Sequence, residues 1–252
     1  MNILFTICGR AGSKGIKNKN IMDFLGKPLV YYSISAIDLF VKNQHFIKDL
    51  SYDIALNTDS KELVELVLSN KMQKVELVDR KQELAGDVVG KKLVVADTCF
   101  EMMKRRNVKY DVIVDLDITS PLRTVKDIEN LISKFIESSV DVVFSVTESR
   151  RNPYFNMVCR RNGVIKKVIE SNFTSRQQAP EVYDVNASLY AYSLEFLKMD
   201  ANVLDGKSEI IVMKDTAVLD LDKPDDVYYM EIIANYLVHN KKHFEVLYNN
   251  IV

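Results

Sequence analysis

Apolar positions along the chain change rhythm in a way that separates strands from helices. Asn2–Cys8 is a short, nearly continuous apolar run, the pattern of a strand buried on both faces. A Gly/Lys loop follows, and a helix is expected from Pro28, which suits a first helical turn, to about Phe40. Tyr52–Asn57 reads as a second strand, with Asp59 or Ser60 placed to cap a helix over Lys61–Ser69. Val75–Val78 is a short strand. Lys92–Arg106 sets Leu93, Ala96, Phe100 and Met103 at helical spacing, so that stripe is expected to be its buried face. Asp111–Leu116 and Val142–Val146 are further strands flanking a helix at Val125–Glu137. Strands alternating with helices of this size predict an α/β fold, a mostly parallel Rossmann-like sheet with helices on both faces.

After about residue 147 the rhythm shortens. Phe155–Cys159, Val164–Lys167, Ala187–Tyr192 and Ile210–Met213 are strand candidates with few helices between them. They suggest an antiparallel element inserted at about 150–215 before a last helix beginning near Pro224. No repeat or low-complexity linker divides the chain, so residues 1–252 are expected to form one domain carrying that insertion.

Composition narrows the function. The 252 residues carry 34 Lys and Arg against 35 Asp and Glu, a net charge of -1, and 47% are hydrophobic. A field broad enough to hold nucleic acid is thereby disfavoured, and any bound anion must be met by local charge. No apolar run reaches the roughly 18–20 residues of a membrane span, and the start of the chain has no basic leader. Cys8, Cys99 and Cys159 are odd in number and widely separated, which suits a reducing cytoplasm rather than a disulfide frame or zinc site. His239 and His243 stand at i, i+4 without a third ligand in sight, so histidine chemistry is not expected.

Two local concentrations of charge remain. Gly9–Asn20 holds Arg10, Lys14, Lys17 and Lys19 among Gly9, Gly12 and Gly15, and no acidic residue precedes Asp23. Glycines allow close backbone approach, and a loop after a strand's C-terminal end is where open α/β sheets bind ligands. That composition suits a polyphosphate, although it is neither a Walker A sequence nor GxGxxG. The second concentration is a pair of DxD units, Asp115-Leu116-Asp117 and Asp220-Leu221-Asp222. Residues i and i+2 of a strand share a face, so each unit can present two carboxylates together, a hard oxygen set suited to Mg²⁺. The alternative is ordinary helix capping, for which Asp225 and Asp226 are also placed.

These residues carry a resemblance. Gly9–Asn20 resembles the ARxxSKGxxxKN loop of the CMP-sialic acid synthetase (acylneuraminate cytidylyltransferase) family. Residues 80–87 resemble its RPxELAxD segment, and Thr119–Thr124 its TSPLRT turn. Ser175–Pro180 with Asn186 and Tyr190 is similar to its RQ…P…NGxxY stretch, and Ala217–Asp226 to its IDIDTxxD close. The resemblance implies a cytidylyltransferase that joins CTP to a nonulosonic sugar acid and releases pyrophosphate. Arg10, Gly12, Ser13, Lys14, Lys19 and Asn20 would then hold the triphosphate, Arg80 would lie near cytosine, and Arg176, Asn186 and Tyr190 near the sugar acid. Asp220 and Asp222 would hold Mg²⁺, for which Mn²⁺ substitutes, and Lys19, Asp117, Asp220 and Asp222 would carry the chemistry. The inserted element would be the dimerisation arm of a homodimer, with neither nucleic acid nor membrane as a partner. The pattern resembles the sialic branch more than enzymes of eight-carbon keto-deoxy acids.

Three departures stand out. Asp117 occupies the place of a glutamine that contacts the sugar in the family, and either changes the sugar read or adds a metal ligand. Val88-Val89-Gly90-Lys91 replaces small hydroxyl residues, leaving cytosine to backbone groups. The family's Asn-Gly is Asn186-Ala187. Two rival readings explain part of the pattern: a metal-dependent glycosyltransferase using DxD, and an inert nucleotide-binding scaffold. Neither needs the basic loop and the acidic pairs together.

Overall fold

The structure is a computed structural model and describes residues 1–12, 15–86, 88–214 and 223–252. Ser13, Lys14, Asp87, Asp220 and Asp222 therefore lie outside the described residues.

Among the described residues, seven strands form the central sheet, in the order β11 (Ser208–Val212), β7 (Val142–Glu148), β10 (Tyr183–Tyr192), β6 (Val112–Leu116), β1 (Asn2–Cys8), β4 (Ser51–Thr58), β5 (Glu76–Asp79). All neighbours are parallel except β10, which runs antiparallel between β6 and β7. A two-residue pair, β2 (Asp23–Phe24) with β3 (Lys27–Pro28), leads into the first helix, and β8 (Val158–Arg161) pairs with β9 (Val164–Lys167) as a separate hairpin. From β1 the chain steps outward through β4 to β5 and then returns to place β6 on the other side of β1. That reversal is a topological switch point, where strand ends diverge and leave a crevice.

Alternation along β1 divides the core. Ile3, Phe5 and Ile7 face one side with α1 (Leu29–Asn43), α4 (Val125–Ser138), α6 (Pro224–Asn240) and α7 (Lys242–Asn249). Leu4 faces the other with α3 (Lys91–Arg106) and α5 (Leu194–Lys198). Local signals set the ends. Ser60 Oγ accepts from Leu63 N at 3.2 Å to start α2 (Lys61–Leu68), and Thr124 with Asp127 forms a capping box on α4.

Three expectations are corrected. First, the expected stripe on α3 is only half buried: Ala96 is in the core and Met103 packs against it, but Leu93 and Phe100 are 50% and 40% exposed, and Val95, Cys99 and Met102 are the fully buried residues. Lys92 lies on the inner side, its Nζ donating to Met199 O and to Ala201 O and resting over the Phe196 ring. A charged residue hid this face from a hydrophobicity pattern, since a lysine stem packs as an apolar chain. Second, β10 and β11 are not an excursion but members of the main sheet, β10 inside it and β11 beside β7; of the four candidates after residue 147, β8 and β9 pair apart from it. Period-two spacing does not say which neighbour a strand will find. Third, the last helix is two, broken at Lys241, and Pro28 caps α1 rather than opening its first turn.

Candidate active site

The C-terminal ends of β1, β4 and β6 converge on a cavity of about 410 Å³. Its lining includes Arg10, Lys19, Asn20, Arg80, Lys91 and Asp117. The basic loop is held against the sheet by its own backbone. Gly9 N donates to Asn57 O at 3.1 Å, Ala11 N to Asp59 Oδ1 at 2.7 Å, and Asn20 Nδ2 to Arg10 O at 3.0 Å. A side chain at Gly9 would meet Leu63 Cδ2 at 2.7 Å and Ile118 Cδ1 at 2.8 Å, so it would have to displace those two buried methyl groups for the loop to leave β1 this closely. Gly12 adopts φ +70, a left-handed backbone conformation that favours glycine.

Arg80 is fixed just after β5. Its Nε donates to Asn57 Oδ1 at 2.9 Å and its guanidinium also reaches Asn57 O at 3.2 Å. Arg10, Lys19 and Arg80 thus line one space.

The floor is acidic. Asp115 is fully buried at the end of β6, and its Oδ1 accepts from Thr6 Oγ1 at 2.7 Å. Asp117, just beyond the strand, shares its face. Asp117 Oδ1 accepts from Thr119 N at 2.8 Å and Thr119 Oγ1 at 2.7 Å. Between the two carboxylates stands Lys91 Nζ, 2.9 Å from Asp115 Oδ2 and 2.6 Å from Asp117 Oδ2. Burial works against charge on Lys91 and Asp117. The paired geometry reverses that effect: Lys91 is raised above an ordinary lysine, and Asp117 is held well below the usual carboxylate range by Lys91 and Thr119. Lys91 is therefore a fixed cation at neutral pH and cannot serve as a general base. Cys8, beside Asp115, has its thiol pushed up by burial and then by that carboxylate, which disfavours the thiolate.

Arg123 organises the turn after Asp117. Fully buried, it donates to Ser33 Oγ at 2.7 Å, to Asp117 O and to Ser188 O at 3.4 Å, and burial pulls its pKa down to about 10. The TSPLRT resemblance includes this arginine without giving it a role, and in the sequence Lys91 stands out only as a departure near the base. Lys91 was hidden because its partners are 24 and 26 residues away; the one available signal was a lysine replacing a hydroxyl where an aspartate replaces a glutamine.

Tyr190 pairs in register with Asp115 across β10 and β6, and its ring stacks on Tyr192 at 5.6 Å. Asn186 is turned inward instead: its Oδ1 accepts from Ser145 Oγ at 2.5 Å and Ser188 N at 3.1 Å. Arg176 does not reach the main cavity. It donates to Ser149 O at 2.7 Å and lines a separate space of about 430 Å³ with Asn152 and Tyr183. A larger cavity, about 820 Å³, lies by α1, α4 and α7 and lacks the basic loop. Among the described residues, no cluster of three or more His, Cys, Asp or Glu could ligate one metal ion, and no helix is long and apolar enough to cross a membrane.

Comparison with known proteins agrees with this geometry. Residues 4–232 match the cytidylyltransferase family model. A post-translational flagellin modification protein B of Campylobacter coli is 32% identical over 231 residues, 92% of this chain and 94% of that protein. A CMP-N,N'-diacetyllegionaminic acid synthase of Campylobacter jejuni is 32% identical over 233 residues, covering 92% and 95%. Among solved structures, a CMP:2-keto-3-deoxy-manno-octonic acid synthetase complexed with CTP superposes with a TM-score of 0.62 at 13% identity, over 93% of this chain and 99% of the other. The fold, the matched family model and the convergence of loop and strand ends agree: this chain belongs to the cytidylyltransferase family.

Proposed function

We propose that the protein transfers a cytidylyl group from CTP to a nonulosonic sugar acid, giving the CMP-sugar and pyrophosphate. The observation that carries this reading is the gathering of Arg10, Lys19 and Arg80 over Asp117 and Lys91 at the switch point. Catalysis of phosphoryl-type transfer rests mainly on positioning and charge stabilisation. In this reading Arg10 and Lys19, with Gly12, Ser13, Lys14 and Asn20, hold the triphosphate, and Arg80 lies on the base side. Tyr190 and Asp117 face the sugar acid, whose anomeric hydroxyl attacks the α-phosphorus in line. Asn186 supports that wall from behind, and Arg176 contributes from the neighbouring cavity. A DxD glycosyltransferase would share the acidic pairs, but the family match favours cytidylyl transfer.

A divalent cation is expected for this fold. Asp115 and Asp117 do not fit one as they stand, because their facing oxygens close on an ammonium. Asp220 and Asp222 are the proposed Mg²⁺ ligands, with Mn²⁺ as a substitute. Bound there, the metal supplies Lewis-acid activation and charge neutralisation. The hairpin of β8 and β9, with Val158, Val164 and Ile165 exposed, supports a homodimer whose arm is part of the 150–215 region. A cytoplasmic setting follows from the substrates and the unpaired cysteines.

The test is pyrophosphate release with all four NTPs against neuraminate, legionaminate and pseudaminate acids. Release with CTP and at least one acid is expected; release with none overturns the reading. Asp222→Asn should raise the barrier by about 2–4 kcal/mol, the scale of one lost electrostatic stabiliser. A near wild-type rate would remove Asp222 from the metal set.

A further inference from the structure

Two of the sequence's departures from the family pattern, Lys91 and Asp117, meet in space. Lys91 opens α3 and Asp117 follows β6, and their charged atoms lie 2.6 Å apart. Asp115, fully buried, completes the group: its Oδ2 has no aligned hydrogen-bond donor and is held by the charge of Lys91 at 2.9 Å. We infer that Lys91, Asp115 and Asp117 form a built-in charge triad. Its ammonium stands where a divalent cation would otherwise bridge the two carboxylates, and it fixes Asp117 as an acceptor for a hydrogen-bond donor on the sugar acid.

The chemistry follows from counting lone pairs and charges. An ionised carboxylate offers about four acceptor positions. Thr119 takes two on Oδ1 and Lys91 takes one on Oδ2, which leaves one toward the cavity. The glutamine of the family pattern can donate as well as accept; an ionised Asp117 can only accept. The position therefore favours a substrate O–H or N–H and disfavours a bare acceptor. The triad carries a net charge of -1. Lys91→Ser alone would leave two carboxylates facing each other, one of them fully buried. Asp117→Gln alone would leave Lys91 paired only with Asp115. Changing both together restores the family's residue types and the same net charge. Lys91 is in this sense a positioning residue, acting on substrate through Asp117.

The substrate part of the inference rests on the cytidylyl-transfer reading, so two arms are needed. In the kinetic arm, Lys91→Ser and Asp117→Gln are each expected to lower kcat/KM for the sugar acid at least tenfold, with the KM for CTP changed less than threefold. The double variant should be at least tenfold better than the product of the two single losses. Independent, multiplicative losses would overturn the pairing, with thermal midpoints checking that each variant folds. The second arm needs no turnover. In an Asp220→Asn/Asp222→Asn background without nucleotide, adding Lys91→Ser should tighten Mn²⁺ binding at least tenfold, measured by electron paramagnetic resonance. Adding Asp117→Gln should abolish the gain, and Lys91→Arg should not produce it. Unchanged Mn²⁺ affinity on loss of Lys91 would overturn the cation-replacing role. An enzyme inactive on every acid would defeat the functional reading, and the metal arm would still decide the triad.

Discussion

Single residues in this protein are set by what their backbone positions demand. Ala187 has φ 53 at the irregularity in β10 between Val185 and Tyr190, where the family pattern has glycine. A left-handed alanine costs about 1–2 kcal/mol, offset in part by the greater freedom glycine regains on unfolding. Ala187→Gly should therefore stabilise the protein by about 0.5–1 kcal/mol, read as a rise of about 1–3 °C in thermal midpoint. An unchanged or lower midpoint would show that the neighbouring bonds of Asn186 to Ser145 and Ser188, not the φ angle, control this bend. Gly9 has the opposite lesson. Its φ is unremarkable, and its constraint is space, because Leu63 and Ile118 fill the position of a side chain. The sequence marks both positions, yet only packing separates the two reasons.

Elements show how a loop becomes part of a site. The turn after β6 must carry Asp117 and then start α4, and it is held at both ends. Arg123 ties the turn to Ser33 on α1 and Ser188 on β10. Thr124 and Asp127 exchange capping bonds, with Thr124 N donating to Asp127 Oδ2 at 2.7 Å and Asp127 N to Thr124 Oγ1 at 3.2 Å. Thr124→Ala removes one side of that box and should cost about 1 kcal/mol in chemical denaturation. A loss below measurement error would place the start of α4 under control of its buried face, Ile128, Leu131 and Ile132. Helix α3 makes the contrasting case. Its apolar residues occupy two stripes, and burial of Val95, Cys99 and Met102 turns Leu93 outward. The same rotation leaves Lys91, at the first position of the helix, facing Asp115 and Asp117.

At the scale of the whole molecule the charges are sorted rather than balanced pair by pair. A net charge of -1 covers a basic loop after β1 and acidic residues after β6, brought face to face by the switch in strand order. Such sorting makes stability depend on pH in a defined direction. Asp117 is held well below an ordinary carboxyl, by Lys91 and Thr119 against the opposing effect of burial. A depressed folded value means its stabilisation is complete above the unfolded carboxylate pKa, about 4, and is lost as pH falls through the folded value. Wild type should thus lose stability relative to Asp117→Asn as urea denaturation is moved from pH 6 toward pH 2. A difference between the two proteins that stays constant over that range would exclude Asp117 as a paired, ionised group.

Periodicity and punctuation were enough to predict the alternating strands and helices, because burial on both faces writes itself into short apolar runs. Glycines among cations marked the loop of the site for a similar reason: each is a local requirement carried by consecutive residues. The tertiary structure decided what depends on distant partners. It inserted β10 antiparallel between β6 and β7, chose which stripe of α3 is buried, and turned Asn186 inward. Above all, it brought Lys91 to Asp115 and Asp117. Sequence patterns report what each segment must bury, but charge pairing across 24 and 26 residues is settled only when the sheet order fixes which strand ends meet.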